Sequence, residues 1–436
     1  MIVAAGRSGM ARAATRHESG ASAEVGQRMI LDKADVVVVG GGIVGVTTAY
    51  YLSSKGHDVV LVEQNELAHG ASGRNMGFLL THNRNAGYQL ELSRAGRALY
   101  DEFFAELGPS FEYQSNGAVT YFVTDDQRRV YSEFVEARRA IGVEVELLDA
   151  QAAREAAPVL GPNILGAVYC PDDGQIRTPK FVRAVAQAGR RSGLRVYEHN
   201  AAFGLLRDGS RTVGVRTAGG DISSGQVVWC TGSWATMLAA EGVDVPIVMQ
   251  RLGAVMFGKI EERLDKILSG PLTAKNYACF RELPSYRDEY FTSSYEDLDG
   301  GIEHLESICR TEDGNLFVGC PMDRVDVVEH RISTMGLHLT IGALLEAFPQ
   351  YRDLPVEGVW SGVLPGTADS FPIVDRVPQV PGLILATGHS YGNVTGPITG
   401  KLVSELVSGE DTSLSIKELA YDRPGLAIDD GGINRW

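Results

Sequence analysis

An α/β chain of two domains is the fold class the sequence predicts: a Rossmann-like nucleotide-binding domain and a second domain built on an antiparallel sheet. Three observations predict it. At 436 residues the chain is longer than one hydrophobic core usually holds. The stretch "ADVVVVGGGIVGVTTAYYLSSKGHDVVLVEQN", residues 34–65, runs through a β-branched segment, a glycine cluster, a helical segment and a second β-branched segment. Further on, "GAVMFGKI" and "GNLFVGCP" alternate between flanking glycines in the manner of antiparallel strands.

Each element of the first stretch has a physical reason. Val36 to Val39 are continuously β-branched, as a parallel strand buried on both faces requires. Gly40, Gly42 and Gly45 follow at GxGxxG spacing. The first permits the sharp turn, the second lets backbone N–H groups approach a pyrophosphate, and the third lets the helix lie close to the strand. The helix opens at Ile43 and Val44, continues through "VTTAYYLSSK" and stops at Gly56. "DVVLVE" is then the second strand, ending at Glu63 with Gln64 beside it. A carboxylate there accepts hydrogen bonds from a ribose and repels an added 2′-phosphate. A tight turn with a surface Glu would explain the glycines alone; the full order of elements points to a dinucleotide.

Composition narrows the class. With 44% hydrophobic and 22% charged residues and no apolar run of spanning length, the chain reads as a soluble globular protein. Forty Lys and Arg against 55 Asp and Glu give a net charge of −15, which argues against a nucleic-acid partner. Residues 1–33 are small, polar and Arg-containing, lack the apolar stretch of a signal peptide and read as a flexible extension, with Met29 an alternative start. Cys170, Cys230, Cys279, Cys309 and Cys320 form no CxxC pair, and no His stands at metal-ligand spacing. The expectation is a cytoplasmic protein without a structural metal.

The next segment, "HGASGRNMGFLL" (residues 69–80), together with the glycine motif, resembles the FAD-dependent D-amino acid oxidase superfamily, in its glycine oxidase and sarcosine oxidase branch. The resemblance implies non-covalently bound FAD, with Ala71, Ser72, Gly73, Arg74, Asn75 and Met76 running beside the flavin. Small residues suit a flat ring packed on backbone. Three later segments carry the same likeness. "DDGQIRTPKFVRAVAQAGRRSGLRV" (172–196) resembles the family's turn, helix and further strand. The excursion that starts at Asn200 implies backbone passing the adenine at Phe203, and it ends in the small-residue turn Cys230, Thr231, Gly232, with Trp234 beyond. "GLILATGHSYGNVTGPITGKLVSELVSG" (382–409) resembles the strand, turn and helix that close such flavin sites, with Gly388, His389, Gly392, Asn393, Val394 and Thr395 as contacts. A helix N-terminus aimed at the ring would stabilise the reduced flavin's negative charge.

These landmarks draw a discontinuous FAD-binding domain from residues 34–86, 160–243 and 356–425, and a substrate domain from 87–159 and 244–355. The segment "RELPSYRDEYFTSSYEDLDGGIEH" reads as a surface loop, with a lid as the alternative. The resemblance implies oxidation of a small-molecule amine or amino acid, with oxygen or another electron acceptor taking the electrons. A 2-hydroxy acid or alcohol substrate, or a role as the flavin subunit of a larger complex, stays open, as does a homo-oligomer. His389, Tyr391, Arg251 and Tyr290 are the polar groups singled out for the reacting centre. Two departures stand out near Gly362: the branch's carboxylate-clamping arginine is replaced by Leu364, and the cysteine that anchors flavin in some relatives is missing. An uncompensated buried carboxylate costs several kcal/mol, so another cation, Arg74, Arg251 or Arg324, takes over, or the substrate has no carboxylate there.

Overall fold

The computed structural model describes residues 29–296 and 301–426. Residues 1–28, most of the expected extension, lie outside that range, whereas the first strand already begins at Ile30. It runs Ile30–Val39 at the centre of an eight-stranded sheet. Val36–Val39 pair in parallel with Val59–Val62 on one side and with Gln226–Trp229 on the other. Strand Leu383–Thr387 extends the parallel order next to Gly220–Trp229, and Arg195–Tyr197 extends it next to Val59–Val62. The β-branched run sends Val36 and Val38 into one core and Val37 and Val39 into the other, which is why it carries no polar alternation.

Helices Ile43–Ser54, Thr178–Arg191 and Gly392–Ser408 cover one face of this sheet. The long helix Tyr88–Leu107 joins them: Leu92, Leu99 and Phe103 share a core with Val36, Leu61 and Leu402. Its Gly96 crosses the last helix so closely that a Cβ there would stand 1.9 Å from the Val394 carbonyl oxygen. This helix lies in the segment assigned to the substrate domain, yet it packs with the nucleotide-binding elements.

The second sheet also has eight strands, ordered 356–366, 248–259, 315–324, 303–310, 267–269, 118–122, 166–170 and 146–149. Ala254, Val255 and Met256 pair antiparallel with Gly319, Val318 and Phe317, as the two glycine-flanked runs predict. Strands Gly166–Cys170 and Val356–Gly366 belong to this sheet, so the chain crosses between domains later than 160 and 356. Residue spacing cannot show this, because a short apolar strand reads alike in either sheet.

The stretch 281–304 is only partly surface. Phe291, Tyr295 and Tyr286 are buried, and Phe291 stacks on Tyr286 at 5.2 Å between ring centroids. Residues 297–300 lie outside the described range. No helix among the described residues is long and apolar enough to cross a membrane.

Candidate functional site

The carboxyl ends of the parallel strands open on one cavity of about 360 Å³, roofed by the second sheet. Val39, Val62, Trp229 and Thr387, each at or next to the end of a strand, all line it. This is where open α/β sheets place their ligands.

The three motif glycines do different things. Gly40 has φ +109°, and a Cβ there would meet the Cys230 carbonyl oxygen at 2.5 Å. At Gly45 a Cβ would lie 1.9 Å from the Gly40 oxygen, so helix and strand touch backbone to backbone. Gly42 has ordinary extended dihedrals, φ −79° and ψ −178°, and the nearest atom to a Cβ is the Ser72 hydroxyl at 3.2 Å. The fold demands glycine at Gly40 and Gly45 but not at Gly42, which faces the cavity. A ligand approaching the backbone supplies the missing reason, and the residues present fit a dinucleotide. Ile43 and Val44 line the same end, and Ile43 N–H donates to Ser72 Oγ at 3.0 Å.

Glu63 has one carboxylate oxygen 2.7 Å from Gly41 N–H and the other 2.9 Å from Asn65 N–H. These bonds fix its rotamer at the cavity wall, where Gln64 also stands. Phe203, 48% exposed, lines this end, because Asn200 N–H bonds to the Glu63 carbonyl and brings the 199–203 segment alongside.

The loop after the second strand lines the middle of the cavity with Ala71, Ser72, Arg74, Asn75 and Met76. Gly73 faces inward instead, where a Cβ would strike the Ala68 carbonyl at 2.0 Å. Asn75 is the joint of the site. Its amide nitrogen bonds to the Ala71 and Ser72 carbonyls at 2.9 and 3.1 Å, and its oxygen accepts from Gly77 N–H at 2.8 Å and from Asn393 Nδ2 at 2.9 Å. One side chain thus couples the loop to the last helix.

Cys230, Thr231, Gly232 and Trp234 line the opposite wall. The buried Thr231 hydroxyl and the Trp229 indole N–H have no hydrogen-bond partner among the described residues, which again suits a polar ligand. Gly392 and Asn393 bring the uncapped N-terminus of the last helix to the cavity, whereas Val394 and Thr395 point away from it and Gly388 forms the preceding turn at φ +80°.

His389 and Tyr391 line the cavity, and both are buried. Burial pushes the His389 imidazole down to about 3, so the ring is neutral, and its Nε2 lies 3.0 Å from Thr399 Oγ1. Burial likewise pushes the Tyr391 phenol up to about 12. Arg251 and Tyr290 do not reach the cavity. Arg251 forks onto Asp323 and bonds to the Arg331 carbonyl at 3.0 Å. Tyr290 stacks under Arg129, 5.6 Å from the guanidinium, at the edge of the core it shares with Phe134 and Phe291. Neither position is visible from residue type alone, since both side chains find partners distant in sequence.

From the second sheet, Gly362 and Leu364 line the cavity. The leucine replaces the clamp expected there, and the wall at that point is apolar. Residues missed by sequence reasoning include Leu252, Ser307, Cys320 and, most notably, Arg84 and Tyr277. The run "THNR" containing Arg84 directly follows the quoted flavin loop, and a cation there was the available signal.

Comparisons with known proteins agree with this geometry. The family model for FAD dependent oxidoreductases (DAO) matches residues 35–406. The chain is 25% identical over 398 residues to a glycine oxidase of Geobacillus kaustophilus, covering 89% of this chain and 97% of that one. It is 25% identical over 409 residues to a sarcosine oxidase subunit beta of Rhodobacter capsulatus, covering 92% and 91%. The crystal structure of the Geobacillus kaustophilus glycine oxidase superimposes with a TM-score of 0.76 at 23% identity, over 90% of this chain and 99% of that chain. With the family model spanning most of the sequence and the cradle built to its pattern, the chain belongs to the DAO family of FAD-dependent oxidoreductases.

Proposed function

We propose that this oxidoreductase oxidises the C–N bond of an amine or amino acid. When bound, the flavin accepts a hydride from a carbon next to nitrogen, and water hydrolyses the imine that results. The observation that carries the reading is the absence of a usable base: among the described residues Glu63, at the ribose end, is the only carboxylate lining the cavity, and His389 is held neutral far below its ordinary range. An alcohol must lose its hydroxyl proton as the hydride leaves, and this site offers no competent acceptor. An amine needs only its lone pair, and the apolar walls at Leu252, Leu364 and Met76 favour the neutral form by desolvation. The chain's part is to orient the substrate and exclude water. His389, through Thr399, and Tyr391, at the head of the last helix, shape that end of the cavity.

Anaerobic mixing of the holoprotein with a panel of amino acids, N-methyl amines, polyamine derivatives and hydroxy acids tests this. Bleaching of the flavin by amines, with release of ammonia or an aldehyde on turnover, is expected. Bleaching by hydroxy acids alone would overturn it. Turnover by the single chain with oxygen or a dye would separate an independent enzyme from a flavin subunit, a reading kept in play by the likeness to a sarcosine oxidase subunit beta.

The flavin is held without a covalent bond. Cys230 and Cys320 line the cavity, and burial pushes each thiol up to about 12, so neither supplies the thiolate that attachment needs. Acid precipitation should leave the yellow colour in the supernatant, and a coloured pellet would refute this.

A further inference from the structure

The roof of the cavity changes character along the second sheet. Against the flavin loop it is apolar: Leu252 and Leu364 line it there, and a Cβ at Gly362 would stand 3.7 Å from the Ala71 Cα. Three strands further along the sheet, about 14 Å at ordinary strand spacing, hydroxyls take over. Ser307, on the strand 303–310, pairs directly with Ser269, on the strand 267–269, and both line the cavity. The two serines are 4% and 5% exposed, and neither hydroxyl has a hydrogen-bond partner among the described residues. Thr273, in the turn that follows Ser269, lines the cavity as well. Its Oγ1 donates to the Glu306 carbonyl at 3.0 Å, which leaves the oxygen free to accept.

Packing does not explain these serines. Their face of the sheet is otherwise apolar, with Leu305, Cys309 and Ala254 in one core, and a buried hydroxyl without a partner is less favourable there than a methyl. A ligand group reaching them supplies the missing partner. Charge restricts what that group is. Arg84 lies at the same end: it is 4% exposed, bonds to the carbonyl of Leu80, which packs on Ile267, and stands 4.0 Å from the Tyr391 ring centroid, with no carboxylate paired to it among the described residues. A second cation on the substrate would meet that buried charge unscreened. A hydroxyl meets no such penalty, and two facing serines answer its donor and its acceptor together. We infer that Ser269 and Ser307, with Thr273 beside them, form a subsite for a hydroxyl at the end of the substrate remote from the oxidised carbon, so that the substrate is an amino alcohol. This inference rests on the amine reading above and deepens it.

The test uses the holoprotein with its FAD content verified and two amines of equal chain length, ω-aminopentanol and hexylamine, each titrated anaerobically against the flavin spectrum. The wild type should bind ω-aminopentanol about 10-fold more tightly, because the plain chain leaves the buried hydroxyls unpaired. The double substitution Ser269→Ala, Ser307→Ala should abolish that preference while leaving thermal unfolding unchanged, since neither hydroxyl holds another part of the protein. A structural role gives the opposite pattern, a lowered Tm with the preference intact. Equal affinities in the wild type, a preference that survives the double substitution, or a flavin that responds to neither amine would overturn the inference. If the double variant loses its flavin, S307A alone decides: a reduced preference supports the subsite, and an unchanged one refutes it. Amines that reduce the flavin regardless of the hydroxyl leave the amine reading standing without the subsite. A serine-dependent preference seen only as a spectral shift, in a protein that no amine reduces, would sink the amine reading and leave a hydroxyl site.

Discussion

Gly45→Ala should leave little folded protein, while Gly42→Val should leave a folded protein without flavin. The two glycines share a motif, but their surroundings differ. A methyl at Gly45 would sit 1.9 Å from the Gly40 oxygen, and Gly40 cannot yield, because its own N–H is tied to the Val62 carbonyl at 2.8 Å. Pushing helix from strand costs about 3 kcal/mol or more, at the upper end of overpacking effects. At Gly42 the backbone is already in a conformation open to any residue, and only the Ser72 hydroxyl stands near. A branched side chain there fills the space through which a pyrophosphate meets the helix amides. Apoprotein thermal unfolding and visible flavin absorbance separate the cases: G45A loses both, and G42V keeps the first and loses the second. A flavin-loaded G42V would refute the cradle.

Removing the Asp173 side chain, as in Asp173→Ala, should destabilise the chain by about 3–5 kcal/mol, the cost of breaking a buried polar pair. Asp173 is fully buried and serves three donors from Thr81 and His82. Burial alone would raise its pKa; the His82 charge and the hydrogen bonds from His82 and Thr81 outweigh that and hold it below the ordinary 3.8. A lowered carboxylate contributes stability that is complete above the unfolded value and disappears as pH falls through the folded one. Unfolding free energy of the wild type should therefore drop as pH falls below about 4, and Asp173→Asn should lack that part of the slope. Equal acid slopes would refute the assignment. Cys170 approaches this pair closely enough to suggest a metal site, with ligand atoms within 4.8 Å. Its thiol is pushed far up by burial, and the Asp173 oxygens are already engaged, so the cluster reads as a brace for the loop that carries Arg84.

Much of the site was legible in the residues. The strand, glycines, helix and acidic strand end from Val36 to Glu63 lie where spacing puts them, because a parallel βαβ unit is local in sequence and Gly40 and Gly45 answer contacts within it or across one neighbouring strand. The flavin loop and the last helix were likewise readable as small-residue turns. Other assignments failed to carry over for a common reason. Arg251 and Tyr290 look available in sequence, yet their partners, Asp323 and Arg129, lie 72 and 161 residues away. The strands 166–170 and 356–366 carry no mark of which sheet they join.

The sequence by itself determined the strand, glycine turn, helix and strand from Val36 to Glu63, which follow from residue type at local spacing, whereas the loss of the arginine at Leu364 is what the resemblance to the branch implies. Only the tertiary structure decided that Asn75 ties the loop to the last helix, that His389 is a neutral buried ring, and that Arg84 faces the cavity uncompensated. Burial and charge pairing are properties of neighbours in space, and the chain brings some of those neighbours, such as Asn75 and Asn393, together from segments 318 residues apart.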